Sequence, residues 1–541
     1  MLKYLGKADD LLRKLESPTG KPKEVEDLQF GAAAALLDLA TELNLVAIID
    51  KQAPKRSQGL SVGQYLLLAA INRCVAPCSK SSMAEWYAQT SLKRLLPTSQ
   101  KALAPQRFWD HMGYLTQERV RAIEEELTQH LVQHFQIDLK ALLFDATNFD
   151  TFIDSTNPSE LAQRGKAKSK RTDLRLVSLA LMVSADFGIP LFSHVYSGNQ
   201  PDSVTFSDLI EPLAERYRRL ATGAQHVTMV FDKGNNSADN IMELAETPYH
   251  FIGSLVPSQH ADLLEIPLDQ FTPLQEPRLE GVCAHRTKKN VYGEEYAIVI
   301  TRSPGLLQGQ LRGIEQHLKK KLHNTRSLQY KVRKSQLPGA KGKGYTRESL
   351  EKQCEKLAKG QYIHEFFRVF VEERTGKRCV RYRIDGQAFE ELKVRQLGKT
   401  IIFTDNHDWA TDDIVLGYRG QYQVENAFRQ MKDPHWVTFS PMFHWTDDKI
   451  RVHAFYCVLG LTLAALLERQ LAKANIHLSI DRTLEALTNT KEMLVLYPNS
   501  DPSTGRIRPG RPRVERVLSK LNKTQQRLYD TLQLGRFFPA T

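Results

Sequence analysis

Cysteine is scarce in this chain, with six residues at positions 74, 78, 283, 354, 379 and 457. Cys74 and Cys78 have no second cysteine or histidine pair at finger spacing, so buried reduced thiols in a reducing cytosol are expected rather than disulfides or zinc. Long hydrophobic runs are missing too. The longest, Val452 to Leu467, falls short of the ~20 residues of a membrane span and contains His453, which predicts a buried helix and no membrane insertion. The N-terminus, MLKYLGKADDLLRKL, scatters charge where a secretory signal needs an apolar core. A Walker-type phosphate loop, a serine-hydrolase elbow and an internal repeat are all lacking, which argues against the classes built on them.

What the chain does have is an excess of base. Its 74 Lys and Arg against 62 Asp and Glu give +12 over 541 residues, a balance that favours a polyanionic partner such as nucleic acid. Hydrophobic residues at 41% and charged residues at 25% suit a soluble globular protein of several domains. Residues 1–137 read as helical, over Phe30–Ile49, Ser61–Cys74, Ser79–Thr90 and Thr116–Phe135. The basic residues between them (Lys80, Lys93, Arg94, Lys101, Arg107) fit a helix-turn-helix-like DNA reader or a plain bundle equally.

From 138 the period changes to that of strands. Leu139–Phe144 is an apolar run ending at Asp145; Leu174–Val183 and Leu191–Tyr196 follow as a meander around the turn at Ala185–Gly188. A helix from about Ser203 then leads to Val227–Phe231, which ends at Asp232. A crossover helix lets the last strand run parallel to the first, so both aspartates leave one sheet edge. Two such carboxylates repel unless a cation joins them, and oxygen donors suit Mg²⁺. The order β-β-β-α-β is that of the ribonuclease-H fold.

The segment YRGQYQVENAFRQMK, Tyr418 to Lys432, reads as one helix with Tyr418, Gln421, Tyr422, Glu425, Arg429 and Lys432 on a polar stripe and Val424, Ala427, Phe428 and Met431 opposite. The stretch between Asp232 and Glu425 is too long for a loop and implies an inserted subdomain, with strands at Glu295–Thr301, Phe366–Val371 and Lys399–Phe403. It carries Lys319, Lys320, Lys321, Arg326, Lys331, Arg333, Lys334, Lys341, Lys343 and Arg347 with no intervening acid, either a clamp on DNA phosphates or a disordered basic loop. Near the end, Arg506 to Arg513 surrounds a Gly-Arg-Pro core with Arg511 at its centre, resembling a minor-groove hook or serving as a basic linker.

Asp145, Asp232 and Glu425 around an insertion resemble the DDE transposases. Tyr418, Glu425 and Lys432 match the tyrosine, glutamate and lysine of the YREK signature of one group of bacterial insertion-sequence transposases, over about 138 to 470. The arginine of that signature is Gln421 here, with Arg419 and Arg429 close by. The resemblance implies an α/β (α+β overall) fold with a ribonuclease-H-like core. Its division would be a helical domain for end binding at 1–137, core at 138–260 and 406–475, an insertion at 261–405 and a helical tail at 476–541. It also implies Mg²⁺-dependent (or Mn²⁺-dependent) cutting of terminal inverted repeats and 3′-hydroxyl transfer to target DNA in the bacterial cytoplasm. Two ions would lie on Asp145, Asp232 and Glu425, phosphates on Tyr418 and Lys432, and two ends in a homodimer. No tryptophan stands between 233 and 408 to stack a flipped base, so hairpin formation is left open. A nuclease without strand transfer and a host-adopted DNA-binding protein remain alternatives.

Overall fold

Apolar runs that read as strands form strands, and the charged alternating ones supply a sheet that local pattern does not reveal. The computed structural model describes residues 22–55, 58–220, 227–232, 234, 237–339, 344–499 and 511–538. In chain order the strands are β1 (Glu24–Gln29), β2 (Ala141–Thr151), β3 (Arg175–Ser184), β4 (Pro190–Ser197), β5 (Thr228–Val230), β6 (His250–Ser254), β7 (Thr272–Pro273), β8 (Cys283–Val291), β9 (Glu294–Arg302), β10 (Phe367–Arg374), β11 (Lys377–Ile384), β12 (Lys399–Thr404), β13 (Lys491–Tyr497) and β14 (Arg513–Leu518). The helices that matter below are α1 (Gly31–Glu42), α2 (Leu45–Gln52), α3 (Val62–Val75), α4 (Gln117–His134), α5 (Asp202–Leu220), α6 (Pro304–Ser335), α7 (Arg347–Ala358), α8 (Gly386–Arg395), α9 (Thr411–Arg419), α10 (Tyr422–Lys432) and α11 (Asp447–Lys473). Two compact units result: Met1–Val230 with Glu243–Tyr249 and Gly420–Thr541, and Phe231–Met242 with His250–Arg419.

In the first unit the strand order is β4-β3-β2-β5. β2 pairs antiparallel with β3, β3 antiparallel with β4, and β2 parallel with β5 after the α5 crossover. This mixed sheet is the ribonuclease-H-like order expected. β2 does not end at Asp145. It runs eleven residues to Thr151, because β3 continues to pair with it as far as Arg175. Its parallel partner stops earlier, the last pair being Leu143 with Val230, so Asp145 lies two residues past the end of that pairing.

The core beside this sheet is helical. α11 packs on α3, α1 and β4, and 94% of its apolar window is buried although its length and composition would suit a membrane span. α3 starts at a capping box in which Ser61 and Gln64 satisfy each other's backbone N–H groups. β1 was not expected, nor were β13 and β14 in a tail read as helical. β13 pairs antiparallel with both of the others, so the N-terminal and C-terminal segments share one sheet.

In the second unit the order is β6-β12-β9-β8-β7, with its pairs antiparallel. The basic stretch up to Ser335 is no loop. It belongs to α6, a helix of 32 residues whose inner side, Ile314, Leu328 and Val332, shares a core with Leu350 of α7, Phe367, Val369 and Val380 of the β10–β11 hairpin and Leu392 of α8. Lys341 and Lys343 lie outside the described residues.

Candidate active site

Asp145 shares one face of β2 with Thr147 and Phe149, since strand side chains alternate. α10 packs on that strand through Val424, Ala427, Phe428 and Met431, all buried, and leaves Glu425 exposed in its first turn, where the helix dipole favours a carboxylate. At its other end Lys432 Nζ donates to Thr147 Oγ1 at 2.6 Å and sits 5.5 Å from the centre of the Phe149 ring. Burial lowers the Lys432 pKa, as does nearby Lys168, while Asp145 and Asp150 act against the shift. Lys168 Nζ in turn donates to Ala146 O. Two ammonium groups therefore stand beside the first aspartate.

Gln421, just ahead of α10, is buried and donates Nε2 to Phe144 O at 3.4 Å. It holds the residue before Asp145 rather than presenting its amide to solvent. Arg429 bonds Asn426 Oδ1 and lines a cavity with Asp433, Glu468 and Asp481, so its surroundings are acidic. Between β2 and β3 Arg171 is paired with Asp173, and Arg175, which opens β3, donates to the carbonyls of Asn157 and Ala162.

The second unit carries Asp232, exposed and two residues past β5. Its Oδ1 accepts from Ser254 Oγ at 3.3 Å and from Tyr418 Oη at 3.4 Å. Tyr418 is on α9 and Glu425 on α10, so the single polar stripe read from the sequence is two helices broken at Gly420–Gln421. Arg419 is half-buried, donates to Ser303 Oγ at 3.4 Å, and has its pKa lowered by burial. Lys319 pairs with Glu315 at 2.7 Å and Lys321 reaches Lys356 O at 3.3 Å, whereas Lys320, Arg333 and Lys334 are exposed on α6. Arg511 is exposed; residues 506–510 of the hook-like segment, and Lys233 beside Asp232, lie outside the described residues.

Sequence reasoning passed over Thr147 and Ser254, and it set Gln421 on the polar stripe rather than buried against Phe144. Thr147 was within reach, since position i+2 of a strand shares the face of position i; the other two needed tertiary contacts. Asp145 and Glu425 in the first unit and Asp232 in the second each offer carboxylate oxygens, the donors hard divalent cations take. Among the described residues no three His, Cys, Asp or Glu side chains are gathered as a metal-holding group.

In the first unit a ribonuclease-H-like strand order carries Asp145 on β2, and α10, which bears Glu425, packs against that strand. The family model described as transposase DDE domain matches residues 138–438, more than half of the chain. The protein belongs to that family. Among solved structures, a piggyBac transposase synaptic complex with hairpin DNA is similar over 84% of this chain and 79% of its own, at 7% identity and a TM-score of 0.39. No curated protein matches the chain.

Proposed function

We propose that the protein is a DNA transposase of a bacterial insertion sequence, in the YREK-signature group, which cuts at the terminal inverted repeats and joins the freed 3′-hydroxyl to target DNA. The observation that carries this is α10 laid on β2, which brings Glu425 and Lys432 to the strand of Asp145 in a chain of the transposase DDE domain family. Asp145, Asp232 and Glu425 are the residues to hold Mg²⁺ or Mn²⁺. When bound, such ions supply Lewis-acid activation of a water or 3′-hydroxyl and stabilisation of the leaving oxygen. Lys432, kept rigid by Thr147 and Phe149, places a cation for a phosphate near Asp145. Tyr418 orients Asp232 through its hydroxyl and turns toward a phosphate when DNA arrives. The exposed cations of α6 track the DNA backbone, in a homodimer that pairs two ends in the cytoplasm.

The test is cleavage of a duplex carrying the element's terminal repeats, with Mg²⁺ or with EDTA. Wild type is expected to cut at the repeat end, and Asp145→Ala, Asp232→Ala and Glu425→Ala to lose at least 100-fold in rate. Variants that cut as well as wild type would refute the assignment. Cutting without joining to added target would leave a nuclease, and light scattering that finds a monomer on paired ends would remove the dimer.

A further inference from the structure

A cavity of about 240 Å³ in the first unit is lined by Arg73, Lys80, Trp109, Phe443, His444 and Tyr456 among others, and none of its lining residues is acidic. Lys80 is 7% exposed and Arg73 1%. Among the described residues Lys80 Nζ and Arg73 Nε have no hydrogen-bond partner. The rest of the guanidinium is committed, Nη1 to Ser440 O at 2.9 Å and Nη2 to Cys78 O at 2.7 Å, which fixes its plane and leaves Nε over. Lys80 Nζ rests 4.2 Å from the centre of the Tyr456 ring and 5.1 Å from that of Phe108. Those rings offset part of the desolvation cost but accept no N–H bond in the plane of a lone pair.

The neighbouring histidines cannot supply a countercharge. His453 donates Nε2–H to Phe439 O at 2.7 Å and accepts from Tyr456 Oη at Nδ1, which defines a neutral ring. Burial, then Lys80 and Arg73, push the His444 pKa down to about 3. Burial and Arg73 likewise hold Lys80 down at about 7, so an anion in the cavity would draw a full charge onto it. The cavity has many times the ~10–15 Å³ that one water needs. Its rim is aromatic: Trp109 is 38% exposed and Phe443 61%, and Phe443 meets Phe152, just past β2, at 5.9 Å. Ring faces of this kind stack on nucleobases.

We propose that this cavity binds a phosphate monoester borne by a nucleotide, with Lys80 Nζ and Arg73 Nε on the phosphate oxygens and Trp109 and Phe443 against the base. The nucleotide is either free or the 5′-terminal residue of a DNA strand. None of the three carboxylates lines this cavity, and the proposal holds whether or not they cut DNA.

The experiment measures calorimetric binding and thermal midpoints of the full chain in EDTA, with inorganic phosphate, dAMP, and one oligonucleotide bearing either a 5′-phosphate or a 5′-hydroxyl. Wild type and Lys80→Met are compared. Lys80→Met removes a desolvated charge at similar volume, so its midpoint without ligand is expected to match or exceed wild type, and lost binding then cannot be unfolding. At least tenfold weaker binding of dAMP or of the phosphorylated strand by Lys80→Met supports the site. Binding of dAMP by wild type assigns a free nucleotide; a tenfold preference for the 5′-phosphorylated strand with dAMP silent assigns a DNA end. Equal affinities of the two proteins for every phosphate probe, or no binding of any probe by wild type, would overturn the proposal.

Discussion

Gln421 stands where the resembled signature carries arginine, and its surroundings account for the exchange. The side chain is 8% exposed and reaches the carbonyl of Phe144. A guanidinium there would be stripped of most of its water, a costly arrangement. Gln421→Ala is expected to lose about 1 kcal/mol in urea denaturation, the usual worth of one such bond. Gln421→Arg should lose more and should not tighten DNA binding. A stability gain in Gln421→Arg, or a marked rise in its DNA affinity, would show that the site was built for a cation. The acid neighbours of Arg429 place that side chain equally poorly for a phosphate.

At the scale of elements, α6 turns a stretch with two sequence readings into one. Its apolar side is held by the hairpin and α7, and Gln329 Nε2 ties it to Val380 O at 3.0 Å. The exposed side carries Lys320, Arg326, Lys331, Arg333 and Lys334. If these lie on phosphates, each contact removed should reduce the slope of log K against log salt by ~0.9. Lys331→Gln with Lys334→Gln is therefore expected to flatten the slope by nearly two while leaving the thermal midpoint within a degree or two. An unchanged slope would move the DNA path off this helix. The helix was legible as charge but not as structure, because its inner face is thinly apolar and gains its meaning from a hairpin some fifty residues further on.

For the whole molecule, burial of histidine sets a pH limit. His444 is held near 3 and His453 well below its ordinary value by burial, with Lys80, Arg73 and, for His444, Lys449 adding to it; Tyr456 faces His453 as a neutral donor. Unfolded, both would titrate near ~6.5. Below that pH the unfolded chain binds the extra protons, so this contribution is present above about 6.5 and is lost as pH falls. Glu124 and Glu468, raised by burial, act in the opposite sense at lower pH. Between pH 7 and 5 the two histidines are expected to take away about 2 kcal/mol each. A thermal midpoint that stays flat or rises over that interval would count against their neutrality in the fold.

The order of strands from 138 to 231 and the helix around Glu425 could be read from residues alone. Each depends on a local period or on a polar residue closing an apolar run, and such patterns act over a few residues. Contacts between distant segments settled the rest. β1 finds its partner β13 more than four hundred residues away, α9 and α10 separate where one helix was read, and β2 runs past Asp145 because β3 keeps pairing with it. Lys80 looked like one more surface cation in the helical region, and only the packing of Tyr456 and Phe108 around it made it a buried charge. Sequence determines which residues prefer strand, helix or water. Which of them lose their water together is decided by the tertiary fold, because desolvation depends on neighbours that the local chain does not contain.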